Sequence, residues 1–317
     1  MTNFRKLCKI FAGGIVLINV LASTTTQAQN NDSAPGLVPI NPLIVTARRV
    51  EKPGSDVLAD YTYISREEIE QAGQTSLPEL LQQQRSIQIS SYGGSGNSAS
   101  VYLRGTGNGQ SLVLIDGVKL DSASGGAIWN SIPLSLIDHI EIIYGPQSTI
   151  YGSDAMGGVI QIFTKKGGGP TQFEASGGYG TYNTSISNAI VSGSLGKESN
   201  TSYSLGISQE NSAGFNTVGS NNSSAAYFPK SATGYTRLGT TGSISSVWGA
   251  GQEIGLKFFT SKNTNQYPYS YSYSPDGGDT YVSNAIVPIQ NNLFSMITGF
   301  SKNRITENWD SLIQVSS

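Results

Sequence analysis

From residue 171 onward the chain alternates apolar and polar side chains at period two. In Ser202–Ser208, Tyr203, Leu205 and Ile207 share one face, and Ser202, Ser204, Gly206 and Ser208 the other. In Glu253–Phe259, Ile254, Leu256 and Phe258 alternate with Glu253, Gly255 and Lys257. Period two predicts strands with one apolar and one polar face. A transmembrane barrel turns the apolar face outward, and a soluble sandwich turns it inward. The segment offers roughly seven strands of about 9–11 residues, the length that crosses a bilayer. Asn211–Tyr235 and Asn263–Asp279 read as long polar loops, of the kind that barrels carry on their outer side. Tyr267, Tyr269, Tyr271 and Tyr273 lie at every second residue in the second loop, suited to a binding mouth or an interfacial aromatic girdle.

Ahead of this alternation the apolar positions run together. Ile140–Tyr144 and Val159–Thr164 are β-branched and aromatic enough to be buried strands. Gly145-Pro146, Tyr151-Gly152 and Gly157-Gly158 punctuate the folded-back connection between them. Val101–Gly105, Leu112–Leu120 and Ile132–Ile143 add further short strands. Ser65-Arg66-Glu67-Glu68 and Ser76-Leu77-Pro78-Glu79 are capping-box patterns and predict two short helices, the first closed at Gly73.

The start of the chain reads as a secretory signal: Arg5, Lys6 and Lys9, then the apolar run Ile10–Leu21, then Thr26-Gln27-Ala28. That run is too short for a membrane anchor. Cys8 is the single cysteine, so the chain after residue 28 has no disulfide. No later apolar run could span as a helix, so a membrane-embedded product must be a barrel. Of the 317 residues 13% are charged and 37% hydrophobic, both low for a soluble domain. The net charge of −2, without a basic run after the first ten residues, leaves no footprint for nucleic acid.

Between signal and strands, Gln29–Asn41 is a polar, disordered leader. It is followed by the extended run Pro42-Leu43-Ile44-Val45-Thr46-Ala47, with Pro53-Gly54 beyond. A strand near a flexible terminus can add to the sheet edge of a partner. Fully extended, Ala47 to Ala59 covers about 40 Å at about 3.3 Å per residue.

Arg104-Gly105, Leu114-Ile115-Asp116-Gly117-Val118, Ile140-Glu141-Ile142, Gly145-Pro146, Tyr151-Gly152, Gly157-Gly158-Val159-Ile160 and Thr164-Lys165 occur in one order over about 65 residues. In that order they resemble the plug domain of TonB-dependent outer-membrane receptors. The resemblance implies an α+β plug followed by the first strands of an antiparallel transmembrane β-barrel, a mainly β chain. It gives residues 1–28 as signal peptide, 29–53 as leader with TonB box, 54–166 as plug and 171–317 as partial barrel. The family closes its barrel with about 22 strands around a plugged lumen, so the chain is expected to be an N-terminal fragment whose last strand leaves an open edge. Pro42, Leu43, Ile44, Val45, Thr46 and Ala47 are then the TonB-binding strand. The loops Ser91–Ser100 and Asp121–Asn130 would meet substrate through Tyr92, Ser95, Asn97, Ser98, Ser122, Ser124 and Trp129. Arg104 and Glu141 are candidates for polar contacts inside the barrel, or for pairing within the plug. Tyr144 departs from the family, which has Arg before the Gly-Pro.

Within the family, Pro42–Glu51, Ser91–Gly96, Leu112–Gly117, Gly145–Gly158 and the tyrosine-rich loop resemble cobalamin receptors. The resemblance implies TonB-driven uptake of a cobalamin-like corrinoid across the outer membrane of a Gram-negative bacterium. A ferric-siderophore receptor and a secreted β-rich adhesin are the alternatives. The calcium that cobalamin receptors use is not supported here, because Gly214–Gly239 holds no aspartate and Asn216 stands where an acid would be. No cofactor and no metal site are expected. Enzyme chemistry finds no foothold. His139 has no nucleophile signature beside it, and Gly105-x-Gly107-x-Gly109 leads into a strand rather than a helix, so it is no dinucleotide loop. Asp276-Gly277-Gly278-Asp279 lacks the spacing of a hard-cation loop.

Overall fold

A computed structural model describes residues 43–44, 52–73, 76–91, 93–107, 109–120, 128–196, 200–217, 231–249, 251–267, 269–273, 282–306 and 309–317. Two short strands, β1 (Leu43–Ile44) and β2 (Lys52–Pro53), pair antiparallel with each other. Then come β3 (Tyr61–Ile64), α1 (Arg66–Gln71), α2 (Leu77–Gln82), β4 (Ile87–Ser91), β5 (Ala99–Leu103), β6 (Ser111–Ile115) and β7 (Val118–Lys119). β8 (Ile137–Tyr144), α3 (Ser148–Tyr151) and β9 (Gly158–Thr164) complete the first half.

β3, β8, β9, β6 and β7 form one sheet in that order, with β6 and β9 parallel and the other pairs antiparallel. Every residue of β6 and β9 is buried, because helices and wall cover both faces. Gly158 in β9 has φ +148°, and a Cβ there would lie 2.2 Å from the Ile143 carbonyl oxygen, so only glycine lets β8 and β9 close at that point. Asp116 (φ 48°) and Gly117 (φ 86°) join β6 to β7. Two successive positive φ values make the two-residue hairpin turn that Asp-Gly favours.

Ser65 caps α1 as its sequence predicts: its hydroxyl accepts the Glu68 amide at 3.2 Å, and the Glu68 carboxylate takes the Ser65 amide at 2.8 Å. Gly73 follows the C-cap with φ 62°, the left-handed stop expected there. The second box does not form. Ser76 precedes α2 without a side-chain cap. Pro78 removes one of the two amides a cap could accept, and Glu79 instead receives the Ser95 hydroxyl at 3.4 Å. What holds α2 is its apolar face. Leu77, Leu80 and Leu81 are buried in the core with Ile64, Ile87, Leu103, Ile140 and Ile162, each worth about 1.5–3 kcal/mol.

The second half is one seven-stranded antiparallel sheet: β10 (Gln172–Gly180), β11 (Thr184–Leu195), β12 (Thr201–Ser212), β13 (Tyr235–Trp248), β14 (Gln252–Gln266), then β17 (Ile289–Thr306) and β18 (Trp309–Ser316). β15 (Tyr269–Tyr273) and β16 (Val282–Ile286) form a hairpin between β14 and β17. The expected loop at 263–279 is therefore corrected: Asn263–Gln266 end β14 and Tyr269–Tyr273 is a strand. These residues read as loop because their inward side chains, Asn263 and Asn265, are polar yet buried.

The apolar row faces away from the first half of the chain. Leu205 and Ile207 are 53% and 47% exposed, while Ser204, Ser208 and Glu210 on the other face of the strand are buried. Ile254 and Leu256 are likewise exposed. This is the lipid-facing arrangement and not that of a soluble sandwich. The polar face of the wall lies against residues 52–166, which pack into it as a plug. Phe259 and Met296 enter the core of the plug from the wall. Gly206 and Gly239 make room for the turn at Pro133–Leu136: a Cβ at Gly239 would stand 2.6 Å from the Pro133 ring. Among the described residues β10 and β18 each pair on one side only, so the sheet is open.

Candidate functional site

The chemistry of this chain sits where plug and wall meet. At the end of the wall where residues 213–234 and the β15–β16 hairpin connect the strands, a buried charged group joins the two parts. Arg237 of β13 donates to the Glu210 carboxylate of β12 at 2.9 Å, and the Tyr235 hydroxyl donates to the same carboxylate at 2.5 Å. Arg237 also donates to the backbone carbonyl of Ser95 in the plug at 3.1 Å. Its side chain is 2% exposed, and its Nε is left without a partner. Asn263 and Asn265 of β14 stand opposite Arg237 and Tyr235 in register. Both are buried, and each leaves its amide oxygen unpaired, as does Asn97 of the plug. This is a polar, hydrogen-bond-hungry seam beneath the plug loop at 93–98.

Of the side chains expected to meet substrate, the structure brings Ser95 and Asn97 to this seam. Ser95 is half-buried, Asn97 is buried, and Ser98 is exposed. The Asn97 carbonyl accepts a hydrogen bond from the Asn130 side-chain amide. Tyr92, Ser122 and Ser124 lie outside the described residues. Trp129 is corrected: it opens a short 3-10 turn (Trp129–Ser131) and is 3% exposed in the plug core. Its ring is the largest apolar group in a mostly polar stretch, so burial decides its place.

Two further straps tie plug to wall. The Asp116 carboxylate receives the Thr164 hydroxyl at 2.6 Å and Lys257 of β14 at 3.3 Å, while Gln314 of β18 donates to the Asp116 carbonyl at 3.2 Å. Glu174 of β10 is held by Arg66 at 2.5 Å and Lys165 at 3.3 Å. The sequence reading missed Glu210, Arg237 and Lys257. The available signal was a charge at inward positions of strands that carry almost no others.

Arg104 and Glu141 both pair within the plug. Arg104 holds Asp60. Glu141 is fully buried, with its carboxylate 3.6 Å from the His139 imidazole. His139 lies between the rings of Tyr63 and Phe163, with centroids 5.1 and 4.3 Å away, and its Nδ1 is 2.7 Å from Asp138. Burial disfavours the imidazolium, but the hydrogen bonds to Asp138 and Glu141 outweigh it and raise the pKa above the ordinary value. Burial, then the nearby Asp138 and Glu141 carboxylates, push the Tyr63 phenol up to about 12. A raised histidine pKa contributes stability that is full below the unfolded value of about 6.5 and is lost as pH rises through the folded value. We expect the plug to unfold at lower denaturant at pH 9 than at pH 6. His139→Phe, which keeps the stack, should flatten that difference; equal slopes in wild type and variant would show that His139 does not set it.

Leu43 and Ile44 of the expected TonB-binding strand pair in register with Pro53 and Lys52; Pro42, Val45, Thr46 and Ala47 lie outside the described residues. The pairing places the strand beside the chain's own β2 rather than isolated. Asp276 and Asp279 also lie outside the described residues. No three His, Cys, Asp or Glu side chains converge among the described residues, and no helix there is long and apolar enough to cross a membrane.

The TonB-dependent receptor plug domain family matches residues 53–159. The vitamin B12 transporter BtuB of Vibrio vulnificus (strain CMCP6) is 42% identical over 138 residues, 44% of this chain and 21% of that protein. The vitamin B12 transporter BtuB of Vibrio cholerae (strain El Tor Inaba N16961) is 37% identical over 182 residues, 56% of this chain and 29% of that protein. The chain thus spans less than a third of the length of these relatives. The ferripyoverdine receptor of the outer membrane of Pseudomonas aeruginosa matches with a TM-score of 0.66 at 13% identity, over 86% of this chain and 36% of that one. A mutant of the ferric enterobactin receptor PfeA from the same organism gives 0.65 at 18%, over 86% and 42%. At such identities the likeness shows the fold: a plug seated against an antiparallel barrel wall. These relatives are transporters and receptors, not enzymes.

Proposed function

We propose that the chain, whose residues 53–159 match the TonB-dependent receptor plug domain, forms the plug and first wall of an outer-membrane importer for a cobalamin-like corrinoid. The observation that carries this reading is the 37–42% identity to vitamin B12 transporters over 138 to 182 residues. Siderophore receptors share the fold at only 13–18% identity. The long connections and the plug loops at 91–100 and 121–130 would capture the ligand. Its occupancy would favour release of Pro42–Ala47 on the periplasmic side, where TonB adds as a strand and pulls. Energy then comes from the partner, not from a bound nucleotide or cofactor. A removable signal peptide at 1–28 and an outer-membrane location complete the reading.

The second reading is a ferric-siderophore receptor, since such receptors share the fold, and uptake separates the two. In a strain lacking its corrinoid and siderophore receptors, the gene that encodes this chain should restore uptake of labelled cyanocobalamin, dependent on TonB. Restoration of ferric-chelate uptake without cyanocobalamin uptake would overturn the corrinoid assignment.

A further inference from the structure

Tyr144 ends β8 at the position where the family resemblance leads to an arginine. Its ring is 3% exposed, and two guanidiniums stand over it: Arg85 at 5.1 Å and Arg104 at 5.3 Å from the centroid. Both reach one carboxylate. Arg85 donates to Asp60 at 2.5 Å and to the Tyr61 carbonyl at 2.8 Å, and Arg104 donates to the second oxygen of Asp60. The Tyr144 amide donates to the Asp60 carbonyl at 2.9 Å, and the Tyr144 hydroxyl lies 3.1 Å from that of Thr62. Two like charges crowded on a single carboxylate repel each other. The negative face of an aromatic ring offsets that repulsion where a third arginine would add to it.

What this group grips is the entrance to β3. That strand is the edge of the plug sheet, paired over four residues with β8 and, among the described residues, with no strand on its other side. The chain ahead of it passes through Leu58, which is 94% exposed, toward β2 and β1. A pull on β1 therefore reaches Asp60 before any buried strand of the plug.

We propose that Tyr144 is a positioning residue: its ring gathers Arg85 and Arg104 so that both hold Asp60, and this clamp keeps β3 on the plug until the chain ahead of it is pulled. The pulling step rests on the reading of Pro42–Ala47 as the strand that TonB grips; the clamp itself does not. Hydrogen exchange of the whole chain in lipid vesicles tests it, with β3 amides followed against β9 amides. In Tyr144→Leu and Asp60→Asn, β3 exchange should rise about tenfold, the factor that corresponds to about 1.4 kcal/mol. Tyr144→Phe, which keeps the ring, should stay close to wild type. Arg85 and Arg104 are 58% and 43% exposed, so salt at about 1 M should speed β3 exchange in wild type and Tyr144→Phe by screening the clamp, but not in Asp60→Asn.

If Tyr144→Phe exchanges as fast as Tyr144→Leu, the hydroxyl and not the ring is responsible, and the proposal fails. It fails equally if Asp60→Asn matches wild type. Should Tyr144→Leu also release β9, the plug has loosened as a whole and the salt arm on the wild-type chain decides: β3 exchange indifferent to salt overturns the clamp. The measurement needs neither TonB nor substrate, so a failure of the import reading would show in uptake and leave this result standing.

Discussion

Val45→Pro should cut energised uptake by about tenfold or more, with ligand binding at the cell surface unchanged. A strand that adds to a partner's sheet is held mainly by main-chain hydrogen bonds. Proline removes one ladder donor and sets its ring against the partner's edge. The bond alone is worth about 1 kcal/mol, and the ring's misfit adds to it, so the joint weakens by about a factor of ten or more. Surface binding involves other parts of the chain. The pairing of Leu43 and Ile44 with Pro53 and Lys52 does not oppose this. A two-residue ladder is marginal by itself, and Pro53 has no amide to donate, so the strand exchanges to an outside edge at small cost. Val45→Ala keeps the amide and should transport as wild type does. Normal energised uptake by the proline variant, at equal surface abundance, would remove residues 42–47 from the TonB-binding role.

The parts of this fold that local chemistry decides were readable in the sequence. Alternation at 202–208 and 253–259 marked the two-faced strands of the wall, though the outward turn of their apolar face followed only from the plug resemblance and the secretory start. Ser65 with Glu68 and Gly73 bounded α1. Reading failed where a distant partner decides. The Ser76 box does not form because Pro78 leaves only the Glu79 amide for a cap and the Glu79 carboxylate is taken by the Ser95 hydroxyl. Trp129 read as a substrate contact, yet its ring packs into the plug core. The end of β14 resembled a loop because its inward side chains, Asn263 and Asn265, meet the plug seam rather than an apolar core. The parallel pairing of β6 with β9 and the edge position of β3 follow from a crossover that no local pattern encodes. The departure at Tyr144 was visible, but its two arginines and Asp60 come from three separate stretches and meet only in the fold.

The other large effect concerns the charge that the wall buries. Glu210→Gln should destabilise the chain by about 3–5 kcal/mol, because it leaves the Arg237 guanidinium in the seam without its counter-charge. Coulomb attraction does not by itself justify a buried pair, since desolvating both ions costs a comparable amount. Here the surplus comes from the hydrogen bonds around the pair: Tyr235 on one carboxylate oxygen, Arg237 on the other, and the Ser95 carbonyl on the second guanidinium nitrogen. Removing both charges should therefore be milder than removing one. Glu210→Gln with Arg237→Met is expected to recover most of the loss, as uncharged groups of similar volume no longer need a partner ion. It should not recover the anchor on the plug loop, because methionine cannot donate to Ser95. The double variant should thus approach wild type in urea unfolding from lipid vesicles, yet show faster amide exchange at residues 93–98. A single variant within about 1 kcal/mol of wild type would place the pair among weakly contributing surface-type bridges, and the seam would then need another source of cohesion.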